Sequence, residues 1–326
     1  MQMTEKTGKI KSFLHNYLVM VSIALLVVVT IIVEPKFLSV PNLINIVRQF
    51  GPLSFFALGM TFVIMGGFID LSISGVISLV VVVTYLLIEP LGQWGAIGIG
   101  LLTGAFAGYL NSVLVLSCGA LTSAKALFIT YGMSTVYGAI ALVLTAGKTG
   151  HLSWLERDAS IFSLLAQGGF GELFSFSFLL FVLCLVLLYI FQSKTYWGQT
   201  IYFTGGNKEA AQLSGVPIYK SIRIIYMISG LMAAVGAVVL LSRVTTASPV
   251  VGKGYDTNAV LSVVVGGTRL KGGQGSVLRT VLGVLLITLL SNCLNLLGLT
   301  PYMQTVFRGV ILVAAIWIDN RNEEGN

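Results

Sequence analysis

Residues 50–88 read FGPLSFFALGMTFVIMGGFIDLSISGVISLVVVVTYLLI, with Asp70 as the one charged side chain in the stretch. About 20 apolar residues are needed to cross the hydrocarbon of a bilayer. The stretch therefore reads as two membrane spans, 50–67 and 71–88, with only Gly67 to Asp70 between them. So short a connection implies broken or partly re-entrant helices near 66–72, held inside a bundle where non-helical backbone finds protein partners.

Working outward, further apolar runs fall at 14–33, 95–117, 126–146, 173–192, 222–242, 258–267, 277–297 and 302–318. With the first two they make about ten transmembrane helices, the run at 258–267 being short enough to predict a second break near 256–268. The expected fold is all-α, a polytopic membrane helical bundle forming a single transmembrane domain over 1–326. Composition agrees, since 56% of the 326 residues are hydrophobic and only 10% charged, with a mean hydropathy of +0.93. A soluble domain carries roughly 25% charged residues to cover its surface. The 37 glycines suit helices that pack closely in lipid. The first run is too long for a signal-peptide core and reads as a retained span.

Ten spans place both termini on one side, and the positive-inside rule selects which. With the N-terminus in the cytoplasm, twelve of the 19 basic residues fall inside and six outside, with Arg308 left in a span. The cytoplasmic parts are then a tail at 1–13, a loop at 193–221 and a tail at 319–326. The net charge of +7 thus marks topology and implies no nucleic-acid partner. The two halves resemble each other faintly: 104–116 and 283–299 each begin with glycine and carry Asn111 or Asn292 about two turns on. Five spans per half point to a 5+5 inverted repeat.

The buried polar inventory is small, and in lipid each member needs a reason. Asp70 is the one carboxylate away from a span end, placed to cap a following helix or to stand on a solute path. Thr288, Asn292 and Asn295 are spaced i, i+4, i+7 on one helix face. They either bond to neighbouring helices or line a polar path, and Asn111 is open to the same two readings. Gly100, Gly104 and Gly108 form a packing ridge.

Residues 204–217, TGGNKEAAQLSGVP, describe a short isolated helix. Asn207 is a good N-cap, Glu209 suits the first turn, Gly215 supplies a left-handed stop and Pro217 prevents continuation. Two turns of helix are marginal alone and must dock on something. Gly147-Lys148-Thr149 is no phosphate loop, because the glycine required five residues earlier is Leu142. His15 and His151 are isolated, and Cys118, Cys184 and Cys293 lack metal or disulfide spacing and read as packed thiols. No metal site, cofactor or catalytic cluster is expected in this chain.

Three stretches carry a resemblance to the permease subunit of bacterial ABC importers of the ribose/xylose/galactose type, running from about Phe37 to Asp319. They are ALGMTFVIMGGFIDLSISG, TGGNKEAAQLSGVP, and GKGYDTNAVLSVVVGGTRLKGGQGSVLRTVLG followed by NCLNLLGLTPYMQ. The chain departs from the family pattern at Phe68, Ser74, Ser112 and Arg279, each in place of glycine, and at Asn258 in place of aspartate. The resemblance implies an inner-membrane subunit, not an enzyme, that forms a dimeric pathway with a second copy or a paralogue. It implies cytoplasmic ATPase subunits binding ATP and Mg, an extracytoplasmic solute-binding protein, and a small polar solute, most simply a sugar. Gly206, Asn207, Glu209, Ala210, Ala211, Ser214 and Gly215 would couple to the ATPase, the two alanines being small enough to seat closely in a partner groove. A branched-chain amino acid or nucleoside ABC permease is the nearest alternative. An ion-coupled secondary transporter is the more distant one, since Asp70 alone is thin provision for proton coupling.

Overall fold

The computed structural model describes residue 20 and residues 23–170 and 174–324. The expected tail at 1–13 and the beginning of the first span lie outside the described residues. Helices follow in the order α1 (Ile23–Val33), then α2 (Val40–Met65), α3 (Ile73–Ser117), α4 (Ser123–Thr145), α5 (Ser160–Gln167), α6 (Phe176–Lys194), α7 (Tyr196–Gly206), α8 (Lys208–Leu213), α9 (Ile218–Val244), α10 (Tyr255–Val265), α11 (Val277–Leu296) and α12 (Pro301–Glu324). The few strands are two-residue antiparallel pairs, β1 (Gly150–His151) with β4 (Thr246–Ala247) and β2 (Gly169–Phe170) with β3 (Phe174–Ser175).

Among the described residues six helices are long and apolar enough to cross a membrane: α2, α3, α4, α6, α9 and α11. The largest, α3, has 45 residues, about 68 Å of helix against a hydrocarbon thickness of about 30 Å. It breaks where Pro90 removes a backbone donor and Gly92 adopts φ 77°, ψ 166°. Its two arms are the runs expected at 71–88 and 95–117.

The helix break expected near 66–72 is present: α2 ends at Met65 and α3 begins at Ile73. The one expected near 256–268 takes another form. There α10 is a continuous but half-length helix of 11 residues, about 16 Å long, stopped by Gly266 and by Gly267 at φ 87°. Two other expectations change. The loop at 193–221 contains a whole unforeseen helix, α7, and the tail expected from 319 is helical to Glu324.

The core lies around α2 and α9. α3 packs most extensively on α9, and α2 touches α9, α10 and α11. The α3–α9 crossing is backbone on backbone: a Cβ on Gly104 would lie 2.6 Å from the Gly230 carbonyl oxygen, and one on Gly230 would lie 2.9 Å from the Gly108 Cα. Gly104 and Gly108 of the expected ridge are therefore the α3–α9 contact itself, while Gly100 packs on Thr84 and Val80 of the first arm of α3.

The connections gather at two ends. At one end the Gly273 amide donates to the Met65 carbonyl at 2.8 Å, and Lys208 Nζ donates to the Leu121 carbonyl. At the other, Arg157 Nη1 donates to the Glu89 carbonyl at 2.8 Å, Gln93 Nε2 donates to Asp158 Oδ2 at 3.0 Å, and β1 pairs with β4.

Candidate functional site

Asp70 sits in the break between α2 and α3 and is 1% exposed. A carboxylate taken out of water needs charge-assisted hydrogen bonds to offset its desolvation. Here Oδ1 accepts the Ser72 amide at 2.9 Å and the Ser72 hydroxyl at 2.6 Å, while Oδ2 accepts the Ser229 hydroxyl of α9 at 2.8 Å. The network continues outward. Asn111 Nδ2, on the second arm of α3, donates to Ser72 Oγ at 2.6 Å, and the Tyr137 hydroxyl of α4 lies 3.0 Å from Asn111 Oδ1 and from the Ala107 carbonyl. Asn111 and Ser72 donate in sequence toward the one carboxylate, while the single Tyr137 proton is shared between Asn111 Oδ1 and the Ala107 carbonyl. The break, α3, α4 and α9 are thus tied to a single acceptor.

Of the predicted polar residues, only Asp70 and Asn111 are brought together. Asn292 makes a reciprocal amide pair with Asn42 of α2, at 3.0 and 2.8 Å, and Asn42 also donates to the Phe37 carbonyl at 2.9 Å. This is the helix-bonding reading of that face. Thr288 is buried with no hydrogen bond to its hydroxyl, Asn295 is exposed, and Asn258 is half-buried. Ser72, Ser229, Tyr137 and Asn42 were not singled out by the sequence. Neutral polar side chains recur in membrane helices, and no local spacing distinguishes those that meet a residue far away in the chain.

At the end where α8 lies, the predicted short helix forms with its predicted punctuation. Asn207 Oδ1 accepts the Ala210 amide at 3.0 Å, Glu209 lies in the first turn, and Ser214 is the C-cap, followed by Gly215 at φ 80°. The faces differ from the expectation in one respect. Ala211 is 6% exposed and packs into this chain's own core, so the outward face is Glu209, Ala210, Gln212 and Leu213. Leu213 is 89% exposed, and a cavity of about 230 Å³ lined by Tyr196, Gln199, Phe203 and Val216 opens between α7 and the connection that follows α8.

Before α8, three Gly-Gly pairs meet. A Cβ on Gly272 would lie 2.6 Å from the Gly67 Cα, and one on Gly273 would lie 2.6 Å from the Gly206 Cα. The backbones leaving α2, α7 and α10 therefore touch, with no room for a side chain at Gly205, Gly272 or Gly273. Gly206, predicted as part of the coupling loop, belongs to this knot.

Some departures from the family pattern acquire contacts. Ser74 Oγ lies 2.9 Å from Ser134 Oγ, Ser112 Oγ donates to the Tyr109 carbonyl at 2.6 Å, and Phe68 is fully buried against Tyr226. Arg279 is exposed. The packed-thiol reading holds for Cys293, which is buried, but not for Cys118, which is exposed.

The bundle, with six helices long and apolar enough to cross a bilayer, is that of a multi-span membrane protein. Residues 42–316 match the family described as the permease component of the branched-chain amino acid transport system, and the chain belongs to that family. It is 34% identical over 300 residues to the ribose import permease protein RbsC of Bacillus subtilis, covering 91% of this chain and 90% of that one. The identity is 31% over 306 residues to RbsC of Escherichia coli, covering 92% and 93%. It is 31% over 310 residues to the L-arabinose transport system permease protein AraH of Escherichia coli, covering 95% and 92%.

Proposed function

We propose that this chain is the permease subunit of an ABC importer that moves a small polar solute, a sugar of pentose size, across the bacterial inner membrane. The observation that carries the reading is α8: a six-residue helix capped at both ends, with an exposed leucine. A helix so short gains little from its own hydrogen bonds. Its outward face, with Leu213 projecting beside Glu209 and Gln212, suits a groove in a partner, here a cytoplasmic ATPase subunit that binds ATP and Mg. A second copy of the chain or a paralogue completes the pathway, and an extracytoplasmic binding protein delivers the solute. The pentose class rests on relatives named for ribose and arabinose import, against the branched-chain amino acid alternative.

In this reading the chain crosses ten times with both termini cytoplasmic. Support comes from the grouping of the connections. Those at 66–72, 118–122 and 266–276 share the α8 end through the contacts of Gly67, Leu121 and Gly273. Those near Gly92, Arg157 and Thr246 share the other. Each arm of α3, each of α4, α6 and α9, and the segment from Thr246 through α10 then passes from one end to the other. The packing also suits a 5+5 repeat. α2 and α9 pack on each other, the second arm of α3 packs on α9, and its counterpart α11 packs on α2.

The test is reconstitution of the chain with its ATPase and binding protein in proteoliposomes, using labelled D-ribose and L-arabinose. ATP-dependent accumulation is expected. Uptake without the ATPase, driven by a proton or sodium gradient, would reject the importer in favour of a secondary carrier.

A further inference from the structure

Lys208 is the first residue of α8, and its ammonium makes two contacts that its position in sequence does not foretell. Nζ stands 3.9 Å from the centroid of the Phe68 ring, and it donates to the Leu121 carbonyl in the connection that follows α3. Among the described residues no carboxylate pairs with it. A π-face and one carbonyl do what an acidic partner would otherwise do, and partial burial pushes the ammonium below the usual lysine range. A cation held over a ring out of water is bound more firmly than one at an exposed site.

The ring on the other side of this contact is well placed. Phe68 lies in the break between α2 and α3, two residues before Asp70, and is fully buried. Its ring lies 6.1 Å from that of Tyr226 of α9, whose hydroxyl is buried without a hydrogen bond. The backbone before Phe68 is packed in the glycine knot with Gly205 and Gly272. A displacement of α8 must therefore either carry the break with it or pull the ammonium off the ring.

We infer that Lys208 and Phe68 form a latch that transmits motion of α8 to the Asp70 helix break, making Lys208 a positioning residue for coupling. This rests on the reading of α8 as the ATPase-docking helix. The latch acts through geometry: the charge keeps α8 and the break moving as one body, and the Asp70 network then distributes the movement to α3, α4 and α9.

The experiment compares wild type, Lys208→Met, Lys208→Arg, Phe68→Leu and the Lys208→Met/Phe68→Leu double variant. Each is assembled with the ATPase and binding protein in proteoliposomes and scored for labelled pentose moved per ATP hydrolysed. A second reading that needs no solute is the ATP-dependent change in distance between spin labels at Lys148 and Gln212. Lys208→Met is expected to keep assembly and basal hydrolysis while losing about tenfold in solute per ATP, the scale of a partly desolvated cation–π contact, together with most of the distance change. Lys208→Arg, which keeps a cation able to lie over the ring, is expected to restore both. The double variant is expected to be no worse than Lys208→Met. Normal coupling in Lys208→Met overturns the latch, as do failure of Lys208→Arg to rescue or losses that multiply in the double variant. A Lys208→Met chain that fails to assemble while Phe68→Leu couples normally overturns it too. If wild type itself neither co-purifies with the ATPase nor shows an ATP-dependent distance change, the docking reading falls first, and the wild-type arm alone reports that.

Discussion

Asp70 holds its carboxylate with three donors, two of them from Ser72. Asp70→Ala would leave those donors, and through them Asn111, short of an acceptor in a buried site. A loss of about 3 kcal/mol in stability is expected, read as a lower unfolding midpoint in detergent. Asp70→Asn keeps an acceptor oxygen, and Ser229 can turn to accept from the new amide, so it should cost about 1 kcal/mol. Asn42 and Asn292 make a cleaner case, because each satisfies the other. Either single change to Leu strands an amide and should cost about 1–3 kcal/mol, whereas Asn42→Leu/Asn292→Leu removes both and should cost clearly less than the two singles summed, the remainder being the lost bond from Asn42 to the Phe37 carbonyl. Costs that simply add would mean that the pair is not coupled. At this scale Asp70 was legible because a lone carboxylate in apolar sequence is conspicuous. Its acceptance of Ser229 and the partnership of Asn292 with Asn42 were not, since local periodicity carries no information about residues 159 or 250 positions away.

Among the elements, α8 was read nearly whole from its punctuation, because caps are local chemistry: Asn207, Gly215 and Pro217 act within a few residues of themselves. α7 was missed although Thr195 caps it by accepting the Gly198 amide at 3.1 Å. Its sequence has no apolar stripe, and it is held by packing on α6 and α9. The orientation of α8 was likewise invisible, because a two-turn helix with adjacent alanines does not reveal which one faces its own bundle. The structure separates two outcomes that the sequence had merged. Leu213→Glu places a charge on the exposed tip and should abolish co-purification with the ATPase while leaving the unfolding midpoint unchanged. Ala211→Arg forces a long cation into the chain's own core and should lower the midpoint by an amount corresponding to several kcal/mol. A Leu213→Glu chain that still binds the ATPase would move the docking surface away from α8.

For the whole molecule, the decisive property is that connections separated by one crossing lie at opposite ends. Charge counting chose the sides, and the hydrogen bonds at each end, unreadable in the sequence, supply an independent grouping. The division at Gly92 was legible in hydropathy, as the separate apolar runs at 71–88 and 95–117, and the structure adds its cause: Gly92 at φ 77° splits α3 into two antiparallel arms and so sets the parity of everything after it. Lys148 and Gln212 are both exposed, lie at opposite ends, and are separated by the crossing of α6. In a Cys118→Ser background, which removes the exposed native thiol at the α8 end, a cysteine at Lys148 should react with an impermeant maleimide in intact cells. A cysteine at Gln212 should react only after the membrane is opened. The reverse pattern would keep the fold but invert the bundle, placing α8 outside the cell where no ATPase could reach it. Labelling of both from outside would remove a crossing between them, and with it the alternation on which ten passes and a two-ended transport path depend.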